Sequence, residues 1–289
     1  MRVNGCDCSI VIKTTHRETS LPYSEETIRE AVSLLREEPS VEGDGISRAI
    51  QKRNGVTGCV ISPLTIGTAP LLFYLAMGSM GNPVFISESR NLYKYQLNLS
   101  PMEDTDNFDL IQDRSGNMER RLFEGCRVKG FELRVNREKT MKLKLDIFGE
   151  NPAVIYPYTD TFVREAGELF NGENVKYRIN GKEYTNIYGF TLSANKEVGT
   201  KTELWIKRIL ETGSDLPEII DDISITAQLL REKYENRHFG TFRITIRRLV
   251  LTSDETNINN GDSVIGPIRY YVAGNVSTEV FTSGEEIIA

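Results

Sequence analysis

Beyond residue 83 the chain is dominated by short stretches in which apolar and polar residues alternate. Residues 93–99 (Y-K-Y-Q-L-N-L) and 241–251 (T-F-R-I-T-I-R-R-L-V-L) are the clearest cases. A period of two turns every second side chain to the same face, as in a strand with one buried side. The same pattern predicts strands at 56–62, 108–112, 120–123, 266–273 and 275–281, with Gly274-Asn275 as a hairpin turn; 9–15 reads as a short strand or an extended arm, and 221–230 as strand or helix, with the alternation at 223–229 favouring strand. Two helical segments stand apart. Ser24 is an N-cap residue followed by Glu25 and Glu26, and Ile28, Ala31, Val32 and Leu35 recur at helical spacing, so a helix is expected over 24–37, before Pro39. Pro70 opens L-L-F-Y-L-A-M, which stops at Gly78 and reads as a buried helix of about two turns. A further helical stretch is expected at 160–170.

Two segments resemble each other at a constant offset of 59 positions. R-V-K-G-F-E-L-R-V-N at 127–136 matches N-I-Y-G-F-T-L-S-A-N at 186–195 in Gly130/Gly189, Phe131/Phe190, Leu133/Leu192 and Asn136/Asn195. The offset continues into Leu145/Leu204 and Ile147/Ile206. Each copy reads as a β-hairpin, at 127–148 and 187–209. Phe131, Leu133, Val135, Met141, Leu143, Leu145 and Ile147 form the candidate core face of the first. Glu132, Arg134, Lys142, Lys144 and Asp146 form its polar face. In the second, Phe190, Leu192, Ala194, Leu204 and Ile206 face inward, against Thr191, Ser193, Lys201, Glu203 and Lys207. A mainly β fold follows, with a minor helical part and a sheet wet on one side. Period-two patterning also makes unrelated amphipathic strands coincide, so the repeat alone does not prove duplication.

The 289 residues allow one large domain or two small ones, and a hydrophobic content of 39% is enough for a core yet below the globular average. The net charge of −6 argues against non-specific nucleic-acid binding, which needs a basic footprint. No secretory signal pattern opens the sequence, and no run of about 18 apolar residues predicts a membrane helix. Cys6, Cys8, Cys59 and Cys126, with His16 and His238, do not make up a metal-ligand set, and reduced thiols are expected.

Phosphate-loop, dinucleotide-fold and H-E-x-x-H patterns are absent from the sequence. Gly261-Asp262-Ser263-Val264 resembles a serine-hydrolase block, but no histidine follows it. The acidic residues Glu103, Asp104, Asp106 and Asp109 lack calcium-loop spacing and read as a solvated turn. No catalytic residue, metal or cofactor is expected.

The chain resembles the tail tube protein (major tail protein) family of long-tailed bacteriophages. The resemblance is carried by Arg53 to Gly78, by F-E-G-C-R-V at 123–128 running on to Gly149, by F-N-G at 170–172 running on to Asn195, and by the strands from Thr241. It implies a tail-tube-like β-sandwich or partial barrel with one or two flanking helices. An N-terminal arm and helix (1–54), a β domain (55–281) and a C-terminal tail (282–289) would follow. It further implies a self-assembling virion structural protein, six to a ring, whose stacked rings conduct DNA without binding it specifically. The two hairpins would line the lumen, and lateral closure would use their ends. Stacking would use residues 1–20, 101–120 and 282–289. Tape-measure, tail terminator and distal tail proteins are the implied partners, and the place is the tail of a phage or prophage particle assembled in a bacterial cytoplasm. A baseplate or secretion-tube relative and a ligand-binding β-sandwich module remain alternatives. The polar hairpin faces, with three carboxylates against five cations, do not match a simple negative bore.

Overall fold

The computed structural model describes residues 8–14, 18–36, 49–87, 92–114, 119–156, 167–197, 199–209, 216–229, 240–254 and 265–283. The strands are β1 (Cys8–Lys13), β2 (Glu18–Leu21), β3 (Glu25–Glu26), β4 (Arg29–Arg36) and β5 (Ala49–Pro63). Helix α1 (Ala69–Met77) follows, then β6 (Gly78–Met80), β7 (Val84–Ser87), β8 (Leu92–Leu99) and β9 (Phe108–Arg114). Next are β10 (Glu119–Asn136), β11 (Lys142–Gly149), β12 (Val154–Tyr156), β13 (Val175–Ile179) and β14 (Lys182–Tyr184). The chain ends in β15 (Ile187–Asn195), β16 (Lys201–Ile209), β17 (Ile219–Gln228), β18 (Thr241–Asp254), β19 (Ile265–Val272) and β20 (Val276–Ser283). The fold is mainly β, with antiparallel strands wrapped barrel-fashion around one apolar core.

Both expected hairpins form, β10–β11 and β15–β16, and they sit side by side. Gly130 pairs with Asn195, Leu133 with Leu192 and Asn136 with Gly189, so the first strands of the two copies run antiparallel in one sheet. This register makes the repeat a local two-fold axis through Leu133 and Leu192. The symmetry extends outward. β5 pairs with β11 at Leu145↔Val60, and β19 pairs with β16 at Leu204↔Tyr270, the equivalent position. The central sheet is therefore β5–β11–β10–β15–β16–β19.

The ten candidate core-face residues of the hairpins, Phe131, Leu133, Val135, Leu143, Leu145, Ile147, Phe190, Leu192, Leu204 and Ile206, are all buried. Helix α1 packs on β8, β20 and β10 from the core side. It begins with Pro70 in its first turn and stops where Gly78 adopts φ 93°, its N–H donating to Tyr74 O. Eight of its nine residues are buried. An all-round apolar helix belongs inside the core, and it does not flank the fold.

The expected helix over 24–37 is not formed. Ser24 donates its N–H to Ile61 O, and Arg29–Arg36 is β4, paired to β5. Opposite this segment β5 carries a bulge, with an extra residue between Arg53 and Val56 and Gly55 at φ 95°. β5 itself runs unbroken across the expected 54/55 boundary. Gly274-Asn275 is not a hairpin turn either. β19 and β20 both pair antiparallel to β18, one after the other, and the break between them faces Arg247 and Arg248. Arg248 has φ 55°, and a Cβ on Gly274 would stand 2.4 Å from Arg247 O, so the kink needs a glycine. Most of the expected 160–170 helix lies outside the described residues.

Candidate assembly surface

Strand alternation puts the ten candidate polar residues on the outer side of the central sheet. Arg134, Lys142, Lys201 and Lys207 are exposed, and Glu132, Lys144, Asp146, Thr191, Ser193 and Glu203 are half-buried. Cross-strand register orders them into rows. One row runs Ile61–Lys144–Glu132–Ser193–Glu203–Tyr271–Val250–Ile219, across β5, β11, β10, β15, β16, β19, β18 and β17. A second runs Lys142–Arg134–Thr191–Trp205–Arg269. The face is polar in its middle and apolar at one end, where Ile219, Val250 and Tyr271 are exposed.

Most charges on this face are paired. Arg134 Nε contacts Glu132 Oε1, and Lys144 Nζ lies 2.9 Å from Asp146. Glu203 takes two hydrogen bonds from Arg269, at 2.7 and 3.2 Å, and an ion pair from Lys201 at 3.4 Å. The Arg269 guanidinium also lies 4.9 Å from the centre of the Trp205 ring. These contacts shift the groups in the direction that favours charge. Hydrogen bonding from Arg269 holds the Glu203 carboxyl below its usual value, and the Asp146 carboxylate raises Lys144. Lys142 donates to Ser24 Oγ at 3.3 Å. Neither it nor Lys207 has a carboxylate partner among the described residues.

The flanks of the hairpin pair are occupied, β11 by β5 and β16 by β19. The hairpins therefore offer no free strand edge along their flanks to a neighbouring copy. Other edges are open among the described residues. β7 pairs only with β8, β12 only with β10, and β14 only with β13. Val84, Phe85 and Ile86 on β7 are exposed, as are Val154 and Ile155 on β12, the last at 74%. Consecutive apolar residues exposed on both faces of an edge strand are what soluble monomers avoid.

The stretches expected to stack are partly built into the fold. β1 and β2 form a sheet with β9, and Ile10, Val11 and Ile12 are buried. Residues 1–7 and 284–289 lie outside the described residues. In the acidic stretch, Asp106 accepts from the Tyr74 hydroxyl and Asp109 from the Gly125 N–H, so both carboxylates hold the fold.

Three cations are buried among the described residues, Arg120, Lys196 and Arg208. Lys196 follows β15 and is 1% exposed, and its Nζ donates to Ala76 O at 3.1 Å near the C-terminal end of α1. Burial lowers its pKa from 10.5 to about 8, while the negative helix end favours its charge. Nothing in the local pattern A-N-K-E marks this lysine as buried.

Among the described residues no group of three His, Cys, Asp or Glu side chains is placed to hold a metal ion. Cys59 and Cys126 are free thiols. The Gly261–Val264 block, His16 and His238 lie outside the described residues. No helix among the described residues is long and apolar enough to cross a membrane. No protein-family model matches the chain, and no curated protein matches it.

Proposed function

We propose that this chain is the building block of a phage or prophage tail tube, a non-enzymatic subunit that assembles with itself into stacked six-membered rings around a DNA channel. The observation that carries the reading is the central sheet. Two equivalent hairpins join along one seam, with every candidate core residue inward and a continuous ion-paired polar face outward. A broad sheet of this kind gives each subunit a wide wall, and its polar face suits a water-filled bore. Because β5 and β19 cover the hairpin flanks, neighbouring copies join through other edges. β7 and β12 are the candidates, being open, apolar and different from each other. Unlike edges make head-to-tail contacts, which close into rings or continue as helices. Tape-measure, terminator and distal tail proteins would meet the ends of such a tube.

Negative-stain electron microscopy of the purified protein over a concentration series tests this. Rings or tubes of uniform bore are expected. A species that stays monomeric by sedimentation velocity at the highest attainable concentration, with no rings on the grid, would overturn it. The ligand-binding alternative has Trp205 and Tyr271 on the outer face in its favour. However, the Arg269 guanidinium already lies against the Trp205 ring, 4.9 Å from its centre, and a ligand stacking on that side would have to displace it.

A further inference from the structure

The cations of the outer face lie over their carboxylates. The side chains of Arg134 and Lys201 are 61% and 65% exposed, whereas Glu132 and Glu203 beneath them are 24% and 19% exposed. Lys144 and Asp146 stand level with each other. A polyanion reaching this surface meets cations first, and each of those four, Arg269 included, is already engaged. Arg269 is the most firmly held. To reach a phosphate it must give up two hydrogen bonds to Glu203 and its place against Trp205. Lys142 and Lys207 alone are left without a carboxylate among the described residues.

We propose that Glu132, Asp146 and Glu203 restrain phosphate binding on this face, so that a nucleic-acid backbone touches it without being retained. The partner, duplex DNA, is taken from the tube reading, and the inference rests on that reading to this extent. The chemistry itself concerns only the paired side chains. Glu203 is the main restraint because it holds two cations, Lys201 and Arg269, whereas Glu132 and Asp146 hold one each. A face of six cations thereby acts as a face of about two. This also accounts for a polar surface with more cations than anions on a candidate conduit wall.

The test is the salt dependence of binding to a short labelled DNA duplex, followed by fluorescence anisotropy between about 50 and 200 mM salt. Each phosphate contact contributes a slope of about −0.9 in log K against log salt, so the unmodified protein should give about −2 per chain. Glu203→Gln frees two cations and should steepen the slope to about −4; Glu132→Gln and Asp146→Asn should each reach about −3. Glu103→Gln, in the turn after β8, makes the same change in net charge away from the face and should leave the slope unaltered. Circular dichroism confirms that each variant is folded. A Glu203→Gln slope equal to that of the unmodified protein, or a Glu103→Gln slope that steepens equally, would refute the restraint. Electron microscopy of the same samples separates the two ideas. Rings with an unchanged slope would remove the restraint and leave the tube, and a steepened slope without rings would do the reverse.

Discussion

Arg137 and Lys196 leave their strands at equivalent points of the two hairpins, yet one lies in water and the other is buried. The equivalence is detailed. Arg137 N–H donates to Tyr188 O at 2.9 Å, and Lys196 N–H donates to Lys129 O at 2.8 Å. Arg137 then extends into solvent, while Lys196 runs under the end of α1. Similar divergence appears elsewhere. Leu143 corresponds to Thr202 and Gly149 to Arg208, all four buried. Lys144 corresponds to Glu203, with the sign of charge reversed. Along the seam the copies agree because β10 and β15 pack the same side chains against each other. At the margins they differ because one copy meets β5 and the other meets β19, and because Lys196 reaches the end of α1 where Arg137 does not. Local symmetry persists where the two copies are each other's environment.

The seam should be where the copies respond alike. Leu133 and Leu192 face each other on the two-fold axis, at 0% and 1% exposure. Leu133→Ala and Leu192→Ala should each destabilise by about 3 kcal/mol, measured by urea unfolding. The double variant should depart from additivity, because the two side chains share one site. Unequal single effects, differing by more than about 1 kcal/mol, would break the symmetry argument.

The glycines should respond unequally. A Cβ on Gly189 would stand 2.4 Å from Val135 O, whereas one on Gly130 would stand 2.9 Å from Ala194 O. Backbone cannot yield as a flexible side chain can. Gly189→Ala should therefore cost about 2–3 kcal/mol and Gly130→Ala about 1 kcal/mol by the same measurement. The reverse order would show that the seam relaxes differently from its static geometry.

Much of this architecture is legible in the sequence, and the omissions have physical causes. The hairpins, β8, β17, β18 and α1 announce themselves through period-two runs or through Pro70 and Gly78, because those signals are local. The seam is not local: β10 and β15 are far apart in sequence, and alternation says which face is buried, not which strand is adjacent. β4 misreads as a helix because Ile28, Ala31, Val32 and Leu35 fall at helical spacing, while its pairing to β5 depends on a separate strand that local spacing does not reveal. The polar face follows from alternation. Its pairing with Arg269 and Trp205 depends on β19 lying beside β16, which no motif indicates. A function class is suggested only by resemblance, and the residues themselves offer a sheet with a wet face and open edges.

Lys196 against Arg137 sharpens the comparison through pH. Lys196 titrates at about 8 when folded and near 10.5 when unfolded. Between those values the unfolded chain holds the proton and the folded chain does not, so stability rises with pH. The slope is at most about 1.4 kcal/mol per unit. From pH 9 Cys126 acts oppositely, since burial pushes its thiol from 9.0 up to about 12. From pH 10 Tyr177, Tyr74 and Tyr270, all raised by burial, drive stability down. Unfolding free energies from urea titration should thus rise by about 1 kcal/mol between pH 8 and 9, level off, and fall beyond pH 10. Lys196→Met should abolish the rise and Arg137→Met should leave it intact.

The smallest effect belongs to the reversed charges. Glu203 receives Arg269 from a neighbouring strand, while Lys144 pairs with Asp146 two residues away on its own strand. Both pairs are partly exposed, so water and salt screen them. Glu203→Gln and Asp146→Asn should each lower stability by less than about 1 kcal/mol, with Glu203→Gln the larger of the two. Both losses should shrink as salt is added. A loss at Glu203 that is large and indifferent to salt would mean that Arg269 holds β16 to β19 structurally. In that case the ion pair on the second hairpin would be part of the fold, whereas the first hairpin, with no such cross-strand ion pair among the described residues, is held by its burial and by its ladder to β5.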